Sequence, residues 1–181
     1  MKMRGAISTH GLVVAGAVCL AGICVAAGCA TRASLVPRCT DPFLQRLVGE
    51  WDTVRTMDDK VVASVMHAEP VLGGAFVQLH LRCLAPDDPY EAVVLVGRAD
   101  DRGGYVAHWC DTFGAAYSEV GRGTLADSAV EFRFNYPSGP FFNTWRYDPA
   151  QDAWTFTGES QNAGGSRTLF AREIIRRRRA R

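Results

Sequence analysis

Two histidines that flank a glycine pair are the residues best placed to bind a metal ion. A two-residue turn at Gly73-Gly74 makes His67 face His80 across a β-hairpin, with Glu69 on the same side. Two imidazoles and a carboxylate form a ligand set that zinc accepts. The other side of the hairpin is apolar and has the character of a core face. Because the histidine side then faces solvent, we predict no metal site and no cofactor.

Cys110 is the candidate nucleophile, with His108 two residues before it and Asp111 directly after it. Residues 108 and 110 share one face of a strand, so a cysteine–histidine pair is conceivable. Their α-carbons lie about 6–7 Å apart with parallel side chains, and no third group orients the histidine. We favour the alternative of a small buried cysteine. The sequence has no Gly-x-Ser-x-Gly elbow, P-loop or dinucleotide fingerprint, so we predict no catalytic residue.

Aromatic side chains form a third candidate site, suited to binding rather than reaction. A turn at residues 137–140 places Tyr136 opposite Phe141, and the next hairpin places Tyr147 opposite Trp154. In this register the rings lie on one strand face and charged side chains lie on the other, so the ring face is interior. The predicted ligand contacts are seven rings and two polar groups: Phe132, Phe134, Tyr136, Trp145, Tyr147, Trp154 and Phe156, with Asn143 and Trp109.

Regular turn signals divide most of the chain into short strands. Asp41-Pro42 is typical of a helix start and Gly49 of its end, so one short helix precedes the first strand. Consecutive strands with hairpin turns predict an all-β antiparallel up-and-down barrel, because closure removes the sheet edges. We expect about ten strands, near residues 50–57, 60–68, 75–84, 90–99, 104–111, 115–125, 128–136, 141–147, 154–160 and 166–175.

The first residues have the pattern of an export signal. Lys2 and Arg4 precede an uncharged run at 11–27, which ends in Ala26-Ala27-Gly28-Cys29. Small residues before a cysteine resemble the bacterial lipobox, in which the chain is cleaved before the cysteine and the cysteine is acylated. We therefore expect a lipoprotein signal peptide at 1–28 and a lipid anchor on Cys29. An ordinary secretory peptide and an uncleaved anchor are the alternatives.

The expected organisation continues with a tether at 29–40, a barrel at 41–175 and a basic tail at 176–181. Alanine rather than aspartate at position 30 favours the periplasmic side of the outer membrane for a lipoprotein. The arginine tail is a possible second contact, with anionic lipid, and the alternative is a solvated tail. Between residues 41 and 171, 10 basic residues face 18 acidic ones, and such an acidic body excludes nucleic acid as an expected partner.

Three cysteines remain after the expected cleavage and lipidation: Cys39, Cys83 and Cys110. Cys83 and Cys110 lie two strands apart in a meander. This places them about 9–10 Å from each other, which is too far for a disulfide. A bridge from Cys39 to either one stays open. We favour no structural disulfide.

Three segments carry a family resemblance. Gly49-Glu50-Trp51 is similar to the Gly-x-Trp start of calycins, the lipocalin-like barrels. Residues 71–77 (VLGGAFV) and 104–114, which end in WCDTFG, resemble an uncharacterised bacterial lipocalin-like domain family with "VLGG-x-F" and "W-x-D-x-x-G" motifs. The resemblance spans about 43–175 and implies a ten-stranded barrel with no established activity.

The same resemblance has implications for single residues. In lipocalins the tryptophan of the Gly-x-Trp motif packs against an arginine of the last strand, which implies a Trp51–Arg172 contact here. Nitrobindin, a haem-binding relative in shape, ligates iron through a histidine late in its barrel. No histidine follows His108 in this chain, so haem bound in that way is not expected.

The leading functional hypothesis is a lipid-anchored periplasmic protein whose barrel binds a small apolar or amphipathic ligand. The seven rings of the predicted ligand contacts and Phe141 share one face, and eight rings can simply fill a barrel. A ten-stranded barrel, however, is wide enough to leave a cavity. An enzyme, such as an isomerase or hydrolase in the same cavity, is the second hypothesis, favoured if polar groups cluster inside. An envelope interaction module with an exposed apolar patch is the third.

Overall fold

Ten antiparallel strands close into one up-and-down barrel in the computed structural model, which describes residues 39–87 and 89–179. This confirms the predicted all-β barrel with a short helix. The expected signal peptide, Cys29 and the tether as far as residue 38 lie outside the described residues. The elements are α1 (Pro42–Leu47), β1 (Gly49–Met57), β2 (Lys60–Val71), β3 (Phe76–Cys83), β4 (Glu91–Arg98), β5 (Gly104–Asp111), β6 (Val120–Ala126), β7 (Ala129–Tyr136), β8 (Gly139–Asp148), β9 (Ala153–Gln161) and β10 (Arg167–Arg177).

The β7–β8 hairpin differs from its predicted register by two residues. Tyr136 pairs with Gly139 rather than Phe141, because Pro137 and Ser138 form a two-residue turn instead of part of a four-residue one. A slip of two leaves every side chain on its predicted face, whereas a slip of one would have reversed the faces. The next hairpin pairs Tyr147 with Trp154 as predicted.

The sixth strand begins at Val120 rather than near residue 115. Ala115–Tyr117 form a single 3-10 turn after Gly114, whose φ is 91°. This left-handed backbone conformation favours glycine and ends the strand pairing of β5. The segment between β5 and β6 is therefore a loop at the barrel rim.

Helix α1 covers one end of the barrel. Asp41 caps it, since its Oδ1 accepts a hydrogen bond from the Leu44 amide at 2.9 Å. Its buried side chains enter the core, and the Phe43 ring meets Trp154 edge-on at 5.4 Å. Burial of each such side chain contributes about 1.5–3 kcal/mol, so the packed face holds this short helix in place. We name this the closed end of the barrel.

An arginine near the end of β10 secures the closure between the first and last strands, but it is Arg177 and not the expected Arg172. The Arg177 guanidinium lies 4.1 Å from the Trp51 ring and donates to the Asp152 carboxylate and to the Val48 carbonyl. Arg172 is exposed and pairs with Thr56 farther along β1. The implied contact was wrong because β10 runs two residues beyond its expected end.

The expected basic tail therefore begins inside a strand. Arg176 and Arg177 belong to β10, and Arg178 donates to the Asp52 carboxylate. The end of the expected tether is also ordered, since Cys39 is buried in the core and its carbonyl accepts from Gln45 Nε2 at 2.7 Å. The barrel unit is thus longer at both ends than residues 41–175.

Cys39, Cys83 and Cys110 are all free thiols in this structure. The expectation of a buried Cys110 was wrong, because this side chain points outward and contacts Ser118 Oγ at 3.0 Å. Within residues 39–87 and 89–179, no helix is long and apolar enough to cross a membrane.

Candidate functional site

A cavity of about 440 Å³ opens at the barrel end opposite α1. It lies between the last residues of β1, β3, β5, β7 and β9, the first residues of β2, β8 and β10, and Tyr90 directly before β4. We call this the open end. Side chains at alternate positions of each strand point inward, so the residues toward the open end line the cavity while those toward α1 fill the core.

Rings form much of the cavity wall. Trp109 and Phe156 stack at 6.0 Å with an interplanar angle of 26°. Phe141 meets Tyr136 edge-on at 6.4 Å and meets Phe170 at 5.6 Å. At the mouth, Phe113 and Tyr117 from the rim loop extend this wall and are exposed to solvent. An apolar body that enters the cavity would thus meet ring faces and ring edges.

The predicted ligand contacts divide into two groups along the barrel axis. Four of them line the cavity: Trp109, Tyr136, Asn143 and Phe156. The other five do not line it and lie deeper, among the core residues or packed against them: Phe132, Phe134, Trp145, Tyr147 and Trp154. The strand face was predicted correctly. The position of each residue along the barrel axis was not predicted, because it depends on which end of the barrel the helix fills.

A buried ion pair borders the cavity. The Arg55 Nε and Nη2 atoms donate to one oxygen of Glu173, at 3.1 and 3.0 Å. Only 12% of the arginine side chain and 2% of the glutamate side chain are exposed. Burial by itself lowers the pKa of Arg55, but Glu173 and Tyr90 together raise it above its ordinary value, so the guanidinium stays charged.

Tyr90 and Asp111 continue the polar side of the cavity beyond Arg55. The Arg55 guanidinium lies 4.9 Å from the centre of the Tyr90 ring. The Tyr90 hydroxyl donates to Asp111 Oδ2 at 3.3 Å, and Trp109 Nε1 donates to the same oxygen at 3.1 Å. Burial raises the pKa of Tyr90 to about 12, so its phenol is protonated at neutral pH and acts as a donor.

Asn143 brings an unmatched acceptor to the cavity. Its side chain is 5% exposed, and Oδ1 has no hydrogen-bond partner among the described residues. Gly158 of the neighbouring strand leaves the space beside it, since a β-carbon there would lie 3.2 Å from Phe141 Cζ and 3.5 Å from Asn143 Oδ1. A buried polar group without a partner is rare and costs free energy, so this amide is a candidate ligand contact.

A family profile for a "protein of unknown function", DUF1579, matches residues 37–157. The match covers more than half of the 181 residues. This chain belongs to the DUF1579 family. The matched segment includes β1–β8 and most of the cavity wall, while β10, which contributes Glu173, lies beyond it.

The fold of this DUF1579 member also occurs among solved structures. A structure titled "Crystal Structure of Rv2717c from M. tuberculosis" superposes with a TM-score of 0.55 at 14% identity, and the match covers 77% of this chain and 99% of that one. At this identity the likeness concerns the fold alone. No curated protein matches the sequence.

Four cavity groups in this DUF1579 chain were missed by the sequence reasoning: Arg55, Tyr90, Asp111 and, beneath Arg55, Glu173. The alternation of β1 contained the signal for the first, because Trp51 points inward and Arg55 is four residues later on the same face. Charged residues were assigned to the outside by type, which overlooked that two opposite charges can be buried together.

The two histidines lie on the outer surface, paired with each other across the β2–β3 hairpin as predicted. Each is bonded to a separate carboxylate, His67 to Glu50 at 2.5 Å and His80 to Glu91. In the described part of the chain, no group of three potential ligands is close enough to hold a metal ion. The outer face of this hairpin is therefore a solvated, hydrogen-bonded surface.

Proposed function

We propose that this barrel binds a small amphipathic molecule in its open-end cavity. The observation that carries the proposal is the cavity itself, with a volume of about 440 Å³ inside a barrel whose other half is filled. Ligand pockets for small molecules typically have volumes of about 300–1,000 Å³, with mostly apolar walls and a few polar groups that fix orientation. The calycin-like Gly49-Glu50-Trp51 start supports the same interpretation by resemblance.

Both chemical halves of an amphipathic ligand have matching walls. The apolar half can lie against Trp109, Phe156 and Phe141, whose rings offer large contact areas. The polar half can reach Asn143 and Asp111, which line the same cavity. An apolar ligand without a polar group would leave the Asn143 acceptor unmatched, so an amphipathic ligand fits better than a purely apolar one.

Native mass spectrometry on protein purified from its own host is the direct test. We expect a bound small molecule that is retained through gentle purification and released on unfolding. Phe141→Ala, which removes a cavity ring, should weaken its binding. Phe142→Ala is the matched control, because this neighbour in β8 points outward beneath Arg167. Protein that is empty and gains no mass on exposure to host extract would contradict the proposal.

Membrane anchoring through lipid on Cys29, on the periplasmic side of the outer membrane, is part of the same proposal. Its support is the charge, apolar run and small residues at positions 2–29 of the sequence. The additional lipid contact through the arginine tail has less support, since Arg177 and Arg178 are ion-paired with Asp152 and Asp52. Binding of anionic vesicles by wild-type protein and by an Arg176→Gln, Arg179→Gln variant would test the remaining charges.

Polar groups inside the barrel favour one alternative function, an isomerase or hydrolase that uses the same cavity. Tyr90 is a protonated donor beside the cationic Arg55, and such donors can stabilise negative charge that develops on a substrate. Turnover of the molecule found by mass spectrometry, abolished in Tyr90→Phe while binding persists, would establish the enzyme. Recovery of that molecule unchanged would support binding alone.

A further inference from the structure

The charges that border the cavity do not balance. Arg55 is compensated by Glu173, whose Oε2 accepts hydrogen bonds from its Nε and Nη2 atoms. Asp111 lines the cavity without a cationic partner among the described residues, since its side chain accepts from the neutral Tyr90 hydroxyl, the Trp109 indole and the Phe113 amide. Three neutral donors stabilise a carboxylate but leave its negative charge in place. The cavity border therefore has a net formal charge of −1.

The pKa of Tyr136, a residue of the cavity wall, depends on the charges near the mouth. Burial first, and then the carboxylates of Asp111 and Glu119, which oppose a phenolate, raise its pKa to about 12. Both carboxylates therefore act on a ring that lines the cavity. A ligand that enters beside Tyr136 therefore approaches the carboxylates of Asp111 and Glu119.

Two unmatched polar atoms of this region are acceptors. Asn143 Oδ1 in the cavity wall and Glu173 Oε1 beneath Arg55 are both buried without a hydrogen-bond partner among the residues described. The nearby donors of Tyr90 and Trp109 are already directed at Asp111. A ligand that brings donors would satisfy what the protein leaves open, whereas a ligand that brings only acceptors would add to the excess.

The ring wall favours a cation for a separate reason. Ring faces are electronegative, and a cation within about 6 Å of a tryptophan or tyrosine face is attracted to it. Trp109 and Tyr136 line the cavity beside the Asp111 carboxylate. Elsewhere in this barrel the same preference is visible, where Arg177 lies over Trp51 and Arg167 over Phe142.

We propose that the cavity selects a protonated amine on an apolar, ring-like body, with the ammonium directed to Asp111 and the Asn143 carbonyl oxygen. This inference rests on the proposed binding function and narrows it to one class of ligand. The apolar body lies against Trp109, Phe156 and Phe141. An amphipathic acid, the usual guest expected beside a buried arginine, is disfavoured because Glu173 already neutralises Arg55.

Three naphthalene probes of one shape test the charge preference by isothermal titration calorimetry: 1-naphthylmethylamine, 1-naphthylmethanol and 1-naphthoate. The full-length protein is held in nanodiscs of phosphatidylcholine, and empty discs correct for partition into lipid. We expect the amine to bind at least about tenfold more tightly than the acid, with the alcohol between them, as one charge-assisted hydrogen bond implies. Equal affinities, or tighter binding of the acid, would overturn the amine preference while binding in the cavity stands.

Two variants locate the preference. Asp111→Asn keeps the shape of the side chain and removes its charge, so the advantage of the amine over the alcohol should fall about tenfold. Asp101→Asn, at a fully exposed carboxylate, is the matched control and should change nothing. Asn143→Leu should also weaken the amine selectively, which keeps the test valid if Asp111→Asn disturbs the rim loop. An unchanged preference in both cavity variants would overturn the assignment.

If none of the three probes binds, the identity of the molecule found by native mass spectrometry decides the ligand class. A naturally bound amine would support the inference, and a naturally bound acid or neutral molecule would overturn it. Protein without any bound molecule, together with three inactive probes, would overturn the binding function itself. The failure of the ligand class and the failure of the proposed function are thus separate results.

Discussion

Arg55 shows how a single residue can belong equally to the stability of the barrel and to its cavity. Its guanidinium is held by Glu173 on one side and lies over the Tyr90 ring on the other. Glu173 keeps only 2% of its side chain exposed, so its charge depends on this partner. A paired charge in such a position is tolerated, whereas an unpaired one is strongly unfavourable.

Arg55→Met should lower the free energy of unfolding by about 3–5 kcal/mol, because it leaves the Glu173 charge buried without a partner. Urea denaturation followed by tryptophan fluorescence measures the change. The double variant Arg55→Met, Glu173→Leu should recover most of the loss, since it removes both charges together. Arg178→Met, which breaks an exposed pair with Asp52, is the control and should have a much smaller effect. A double variant as unstable as Arg55→Met would contradict this account.

Tyr90 predicts how stability depends on alkaline pH. Its pKa is raised from an ordinary value of 10.0 to about 12 in the folded chain, first by burial. Between these values the unfolded chain has released a proton that the folded chain still holds. Stability should therefore be fully present below about pH 10 and fall as the pH rises toward 12.

Tyr90→Phe should reduce this alkaline loss. Urea midpoints from about pH 9 to about pH 11 should fall less steeply in the variant than in the wild type. Part of the slope should remain, because the pKa values of Tyr105 and Tyr136 are also raised to about 12, again chiefly by burial. Parallel midpoint curves for the two proteins would show that Tyr90 ionises freely in the folded state.

At the scale of elements, the closed end depends on the meeting of α1, β1 and β10. Trp51 donates its indole proton to the Leu47 carbonyl at 2.8 Å, which links the helix to the first strand. Arg177 covers the same ring from the last strand. One tryptophan thus joins three elements that are distant in sequence, and it closes the barrel where no hairpin can do so.

Arg177→Met should destabilise the protein by about 1–2 kcal/mol through loss of the cation–π contact and of the bond to Asp152. Arg172→Met, on the same strand and exposed, is the matched control and should be close to neutral. Thermal unfolding monitored by tryptophan fluorescence distinguishes them. The opposite order of effects would restore the contact that the lipocalin resemblance implied.

At the scale of the whole molecule, the barrel is divided into a filled half and an open half. The filled half contains Trp51, Trp145 and Trp154 and is covered by α1, while the open half is bordered by an ion pair, a carboxylate and unmatched acceptors. Stability and binding can therefore change independently along the barrel axis. Substitutions in the filled half should affect unfolding, and those at the open end should affect ligand affinity.

Cys29→Ser tests the proposed anchor. In a bacterial host the wild-type protein should fractionate with membranes and carry acyl groups on its new first residue, whereas the variant should not be acylated. Mass spectrometry of the N-terminal peptide and membrane fractionation measure the two effects. Cys39→Ser is the control, because this cysteine is buried in the barrel unit. A wild-type protein without acyl groups would end the proposal of a lipoprotein.

The sequence by itself determined the strand count, most of the turn positions and the face of each ring, because these depend on local periodicity and turn chemistry. The predicted β2–β3 pairing of His67 with His80 followed from one glycine turn. Even the misjudged turn before Gly139 left the faces correct, since the error was two residues and the side-chain period is also two.

Only the tertiary structure decided depth, closure and charge pairing. Which rings face a cavity depends on the end that α1 fills, and no local pattern contains that information. The partner of Trp51 depends on the length of β10, which places Arg177 beside the ring and Arg172 farther along the strand. The Arg55–Glu173 pair joins residues 118 positions apart. Such a contact exists only after the barrel has closed, because burial of either charge is favourable only when the other is present.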